Sequence, residues 1–151
     1  MINKNSKIFV AGHKGLIGSA IKRKLEKLRY KKVFTMSKKD LDLRDQNKVL
    51  KYLSKIKPDA VILAAAKVGG IEANNTLRGE FIYDNLSIQN SVIHSSYLAG
   101  VKNLIFLGGH SRYINLSHEG SLEIYFLTRF LGLVDHPAFL RFLTKKSFSL
   151  V

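Results

Sequence analysis

The sequence predicts an α/β domain built on a parallel sheet with helices on both faces. An apolar run at Ile8, Phe9 and Val10 passes into glycines at 12, 15 and 18 and then into helical periodicity at Ile17, Ile21, Leu25 and Leu28. Two further apolar runs, Ala60–Ala64 and Leu104–Leu107, have the length of strands buried on both faces. The stretches between these runs carry helical patterns, and strand alternating with helix is the signature of a parallel α/β sheet.

The first strand, Ile8–Val10, meets its helix at the glycines. Gly12 permits a tight turn, Gly15 removes the side chain that would hold a phosphate-bearing ligand off the backbone, and Gly18 lets the helix lie close to the strand. The amides of the helix start, around Leu16 and Ile17, then form an anion site, as expected for a dinucleotide pyrophosphate. Val33-Phe34-Thr35 reads as the second strand. An NAD site would place Asp or Glu after it to accept from the ribose hydroxyls, whereas this chain has Met36-Ser37-Lys38-Lys39. Lys38, with Lys14 from the glycine loop, could neutralise a 2′-phosphate, which favours NADP over NAD. The plain alternative is that both lysines are solvated surface charges.

Asp45 can cap a helix that ends near Ile56, with Val49, Leu50, Leu53 and Ile56 turned inward. Pro58-Asp59 then turns the chain into the third strand, Ala60–Ala64. The small residues Ala65, Ala66, Gly69 and Gly70 leave room for a cofactor to pass over the sheet edge. A long helix follows, with Ile82, Leu86, Gln89, Ile93 and Tyr97 along one side and Gly100 suited to its C-terminal cap. Asn103–Gly108 reads as the fourth strand. Right-handed crossovers give the order 3-2-1-4, the first half of a doubly wound, Rossmann-type sheet.

Composition narrows the function classes. The 151 residues suffice for one core, and 46% hydrophobic residues argue against disorder. No apolar run approaches the roughly 20 residues that span a bilayer. Met1-Ile2-Asn3-Lys4-Asn5 lacks a signal-peptide core, so no membrane association and a cytoplasmic location are expected. Zero cysteines exclude disulfides and thiolate metal sites, and no His-Glu-x-x-His pattern points to a metal. The net charge of +14 invites a nucleic-acid reading, but its excess lies between Lys22 and Lys57, where lysines alternate with apolar positions as on solvated helix faces. No basic-aromatic platform or helix-turn-helix pattern accompanies it, so no nucleic-acid partner is expected. The charge would still steer a polyphosphate inward.

Four segments carry a family resemblance: Gly12–Ile21, Ala64-Ala65-Ala66-Lys67-Val68-Gly69-Gly70-Ile71-Glu72-Ala73-Asn74-Asn75, Phe81–Leu86 and Leu104–Gly108. Together they resemble the GDP-L-fucose synthase family of extended short-chain dehydrogenase/reductases, from about Lys7 to Gly108. The resemblance implies an NADP-dependent enzyme that epimerises GDP-4-keto-6-deoxy-D-mannose and then reduces its C4 carbonyl to give GDP-L-fucose. It also implies that Lys38 lies near the 2′-phosphate, Asp42 and Leu43 beside the adenine, and Ala64, Ala65 and Ala66 beside the middle of the cofactor. A cap or turn role is the equally simple reading of Asp42. Asn85 stands where relatives place an asparagine bonded to cofactor or helix, and a solvated helix residue is its alternative.

After Gly108 the resemblance stops. The family continues Ser-Ser-Cys-Ile-Tyr-Pro, and this chain has Gly109-His110-Ser111-Arg112-Tyr113-Ile114. The family's serine is therefore a glycine, and its acid/base cysteine is a serine whose pKa is too high for that work. The family's Tyr-x-x-x-Lys pair finds only Tyr125-Phe126-Leu127-Thr128-Arg129, too early in the chain and ending in arginine; Tyr125 reads instead as an aromatic on an apolar helix face. No catalytic residue is assigned, and His110, His118 and His136 read as incidental singletons. The chain is accordingly divided into an NADP-binding half domain, 1–108, and a divergent tail, 109–151, as a frameshifted or truncated gene would produce. NADP(H) is the expected ligand, and a GDP-sugar is a partner only if another chain supplies the missing half. With the tail covering it poorly, the strand at Leu104–Leu107 would leave an apolar edge, so self-association is expected.

Overall fold

Depth of burial sorts the strands. The computed structural model describes residues 2–69, 76–107 and 123–126. Its strands are β1 (Lys7–Ala11), β2 (Lys32–Phe34), β3 (Ala60–Leu63), β4 (Asn103–Phe106) and β5 (Glu123–Phe126). They form one parallel sheet in the order β2-β1-β3-β4-β5. The helices among the described residues are α1 (Leu16–Lys27), α2 (Gln46–Ile56) and α3 (Arg78–Leu98).

Alternation along β1 divides the core in two. Ile8 and Val10 pack with Ile21 and Leu25 of α1, while Phe9 and Ala11 share the opposite layer with Val49 and Leu53 of α2 and Val92 of α3. Helices thus cover both faces, as the α/β class requires. The order corrects the expected 3-2-1-4, because β3 pairs with β1 and not with β2. All four residues of β3 are buried, so it belongs in the middle of the sheet. β2 has an exposed Lys32 and only half-buried Val33 and Phe34, which suits an edge. The chain therefore runs one way from β1 to β2 and the other way from β1 to β3. That reversal opens a crevice at the carboxyl ends of β1 and β3, the topological switch point where open α/β sheets bind ligands.

Asp45 caps α2 as expected, its Oδ1 accepting from the Lys48 amide at 3.0 Å. Gly100, at φ +71°, follows the C-cap of α3. The inward face of α3 is not the expected one. Ile82, Leu86 and Tyr97 are 50–61% exposed, and the buried side chains are Asp84, Ser91, Val92, Ser95 and Ser96. Small residues let α3 lie close to α2, and two of the hydroxyls are satisfied by backbone carbonyls: Ser95 donates to Gln46 at 3.2 Å and Ser96 to Val92 at 2.6 Å.

A second correction concerns the β4 edge. Glu123–Phe126 pairs in parallel with Asn103–Phe106, so β4 is an internal strand and the bare apolar edge expected at Leu104–Leu107 is covered. The β-branched and aromatic run Ile124-Tyr125-Phe126 suits a strand, which also corrects the helical reading of Tyr125. The readings of Gly70–Asn75, Gly109, His110, Ser111, His118, Arg129 and His136 lie outside the described residues. No helix among the described residues is long and apolar enough to cross a membrane.

Candidate functional site

The glycine turn at the end of β1 builds one wall of the crevice. Gly12 has φ +88°, a left-handed conformation that favours glycine, and a Cβ there would stand 2.6 Å from the Ala65 amide nitrogen. Gly18 is held more tightly still: its Cβ would lie 2.1 Å from the Gly12 carbonyl oxygen. Gly15 differs, since a Cβ would meet protein only at 3.4 Å. Gly15 itself lines the crevice, where a side chain would take up ligand space. Gly15 is also the N-cap of α1, and no side chain among the described residues caps the first turn, which leaves helix amides for a ligand.

The groove has a volume of about 270 Å³. The glycine loop contributes Gly12, Lys14 and Gly15, the turn after β2 contributes Lys38, Asp42 and Leu43, and the end of β3 contributes Ala64, Ala65 and Ala66. Nine predicted site residues from three separate segments thus meet in one place. The other three belong to the first turn of α1 without lining the groove: Gly18 is buried, Ile17 packs on the core and Leu16 is 79% exposed. Their contribution is the backbone of that turn.

Several lining residues carry no local sequence signal. Arg44 forks onto Asp42, with Nη2 to Oδ2 at 2.6 Å and Nε to Oδ1 at 3.0 Å, and its Nη1 reaches Asp84 of α3 at 2.9 Å. The other Asp84 oxygen takes the Lys67 ammonium at 2.8 Å, and Glu80 lies 3.7 Å from the same group. The Arg44 side chain holds the Asp42 carboxyl down to about 2, with its backbone amide and the charge of Lys38 adding to the effect. Lys67, then Arg44, lower the pKa of Asp84. Asn85 is not a solvated helix residue. Its side chain clamps the Lys67 backbone, accepting from the amide at 2.7 Å and donating to the carbonyl at 2.9 Å, and so fixes the loop after β3. Asp42 is also a turn residue, accepting from the Arg44 amide at 3.0 Å.

The charge balance of the groove follows. Asp42, Arg44, Asp84 and Lys67 compensate one another, whereas Lys14 and Lys38 form no ion pair among the described residues. His13 has its pKa lowered by burial and by the nearby Lys14 and Lys22, so it is neutral at pH 7. A positively charged groove beside uncapped helix amides is chemistry for a phosphorylated ligand.

Comparison with known proteins agrees with this architecture. The chain is 49% identical over 128 residues to GDP-L-fucose synthase 1 of Arabidopsis thaliana, covering 85% of this chain and 40% of the relative. It is 50% identical over 122 residues to GDP-L-fucose synthase of Sinorhizobium fredii, covering 81% and 38%. It therefore spans well under half the length of these relatives. Among solved structures, a Campylobacter jejuni GDP-mannoheptose C4 reductase with NADP bound superposes with a TM-score of 0.68 at 41% identity, over 72% of this chain and 34% of that one. A Naegleria fowleri GDP-L-fucose synthetase bound to NADP gives a TM-score of 0.62 at 32% identity, over 71% and 34%. The family model that matches residues 8–124 takes in β1, the glycine turn, the groove and β4, and on that match the chain belongs to the NAD dependent epimerase/dehydratase family.

Proposed function

We propose that this chain binds NADP(H) in the groove at the β1/β3 switch point and represents the cofactor half of an epimerase-reductase of the GDP-L-fucose synthase type. The observation that carries the reading is the convergence on one groove of a helix start with no side-chain cap, a Gly12–Gly15 turn, and Lys14 and Lys38, which form no ion pair among the described residues. The pyrophosphate would lie on the amides of the Gly15–Gly18 turn, and the 2′-phosphate between Lys14 and Lys38. Asp42 and Leu43 would face the adenine, and Ala64, Ala65 and Ala66 would let the middle of the cofactor cross the sheet edge. NADPH held there would supply the hydride for reduction of a keto-sugar carbonyl.

The relatives' names support a GDP-linked sugar as substrate, bound once the remaining half of the enzyme is supplied. Gly109 and Ser111, where the family has serine and cysteine, favour a second reading: a non-catalytic module that binds NADP without turnover. The absence of cysteine supports a reducing, cytoplasmic setting for either.

Titration of the full-length chain with NADP and NAD tests the common core of both readings. NADP is expected to bind at least about tenfold more tightly, the effect of one charge-assisted phosphate contact. Equal affinities, or binding of neither, would sink it.

A further inference from the structure

Asp42 poses a problem for a site that takes an extra phosphate. Its carboxylate lines the groove four residues after Lys38, on the same turn, where a negative charge would repel a 2′-phosphate and instead accept from a ribose hydroxyl. We propose that Arg44 is a specificity-determining residue that masks the Asp42 carboxylate and so keeps the groove selective for a 2′-phosphorylated dinucleotide. This rests on the NADP reading and adds the device that selects between the two cofactors.

The guanidinium geometry is that of a mask. Its Nε meets both Asp42 oxygens, at 3.0 and 3.2 Å, its Nη2 meets Oδ2 at 2.6 Å, and its Nη1 is taken by Asp84 at 2.9 Å. All three nitrogens are bonded to carboxylates, so Arg44 is not a free phosphate ligand like Lys14 or Lys38. Asp84 anchors the fork from the far side, and Lys67 at 2.8 Å satisfies the second Asp84 oxygen. The planar fork explains why arginine holds this place: it engages Asp42 bidentately and still reaches a second acid, which an ammonium does not do with the same geometry. Without Arg44, Asp84 would keep Lys67, and Asp42 would face the ligand with no ion-pair partner among the described residues. The Asp42 side chain is 32% exposed, so solvent screening holds the effect to a moderate size.

The test compares full-length wild type, Arg44→Met, Asp42→Asn and the double variant, each titrated with NADP and NAD. Arg44→Met is expected to weaken NADP binding about tenfold while NAD binding stays level or tightens. The double variant should recover NADP binding, because the asparagine side chain keeps the acceptor for the residue 44 amide and carries no charge. Asp42→Asn alone, which also alters a side chain facing the adenine, should leave the ratio of NADP to NAD affinity at least as high as in wild type. Equal loss of both cofactors in Arg44→Met, no recovery in the double variant, or a fall in the NADP-to-NAD affinity ratio in Asp42→Asn would each overturn the masking role. These outcomes would leave the wild-type preference for NADP standing. A wild type that binds neither cofactor would overturn the NADP reading, and this one with it.

Discussion

Replacing Gly18 by alanine is expected to destabilise the chain by about 3 kcal/mol and to abolish measurable dinucleotide binding, the upper end of what overpacking costs. The new Cβ would stand 2.1 Å from the Gly12 carbonyl oxygen, 2.7 Å from the Gly12 carbonyl carbon and 3.0 Å from the His13 Cα. All three are backbone atoms, so no flexible side chain can give way. The start of α1 must move off the turn, carrying the groove amides with it. Gly79→Ala is the matched control: nothing lies within 4 Å of its added Cβ, and α3 should gain a few tenths to about 1 kcal/mol from alanine. Urea unfolding of the two variants, with an NADPH titration, gives the comparison. Equal stabilities would mean that the turn and α1 are not packed as described.

Lys38→Ala is expected to weaken NADP binding by about 1.5 to 3 kcal/mol, the contribution of a charge-assisted contact to phosphate, and to leave NAD binding unchanged. Lys38 lines the groove, is exposed and forms no ion pair among the described residues, so its removal should do little to the fold. Lys14 lines the same groove and would partly compensate, which places the loss below that of removing both lysines. The two cofactors differ only by the 2′-phosphate. Equal loss for both would therefore assign Lys38 to the fold and not to phosphate recognition.

Much of this was legible because the relevant signals are local. The strand-glycine-helix run at Ile8–Leu28 fixes a turn whose sterics depend on neighbours a few residues away, and the buried run at Ala60–Leu63 reports its own depth. Strand order was harder to read, since it depends on which strand is covered on both sides. The exposure of Lys32 and the complete burial of β3 decide that, and the decisive contrast appears only when the two strands are weighed together. On α3, Ile82, Leu86 and Tyr97 looked like a core stripe. The helix instead buries small hydroxyl residues, whose polarity is cancelled at Ser95 and Ser96 by backbone acceptors that no pattern of apolar residues reveals.

The site divides in the same way. Nine of the twelve predicted residues line the groove: the glycine loop and the ends of β2 and β3 mark most of them, whereas Asp42 and Leu43 are implied by the family resemblance alone. No local pattern marks Arg44 and Asp84 as partners: they stand 40 positions apart, and only the packing of α3 beside the turn after β2 brings them together. The pairing of Lys67 with Asn85 across 18 positions has the same character.

Amide hydrogen exchange of the full-length chain, with and without saturating NADP, tests the central claim most directly. Slowed exchange is expected in residues 12–18, 36–44 and 64–67, three segments that form the groove and its helix start. NADP binding that leaves exchange in these segments unchanged would contradict it.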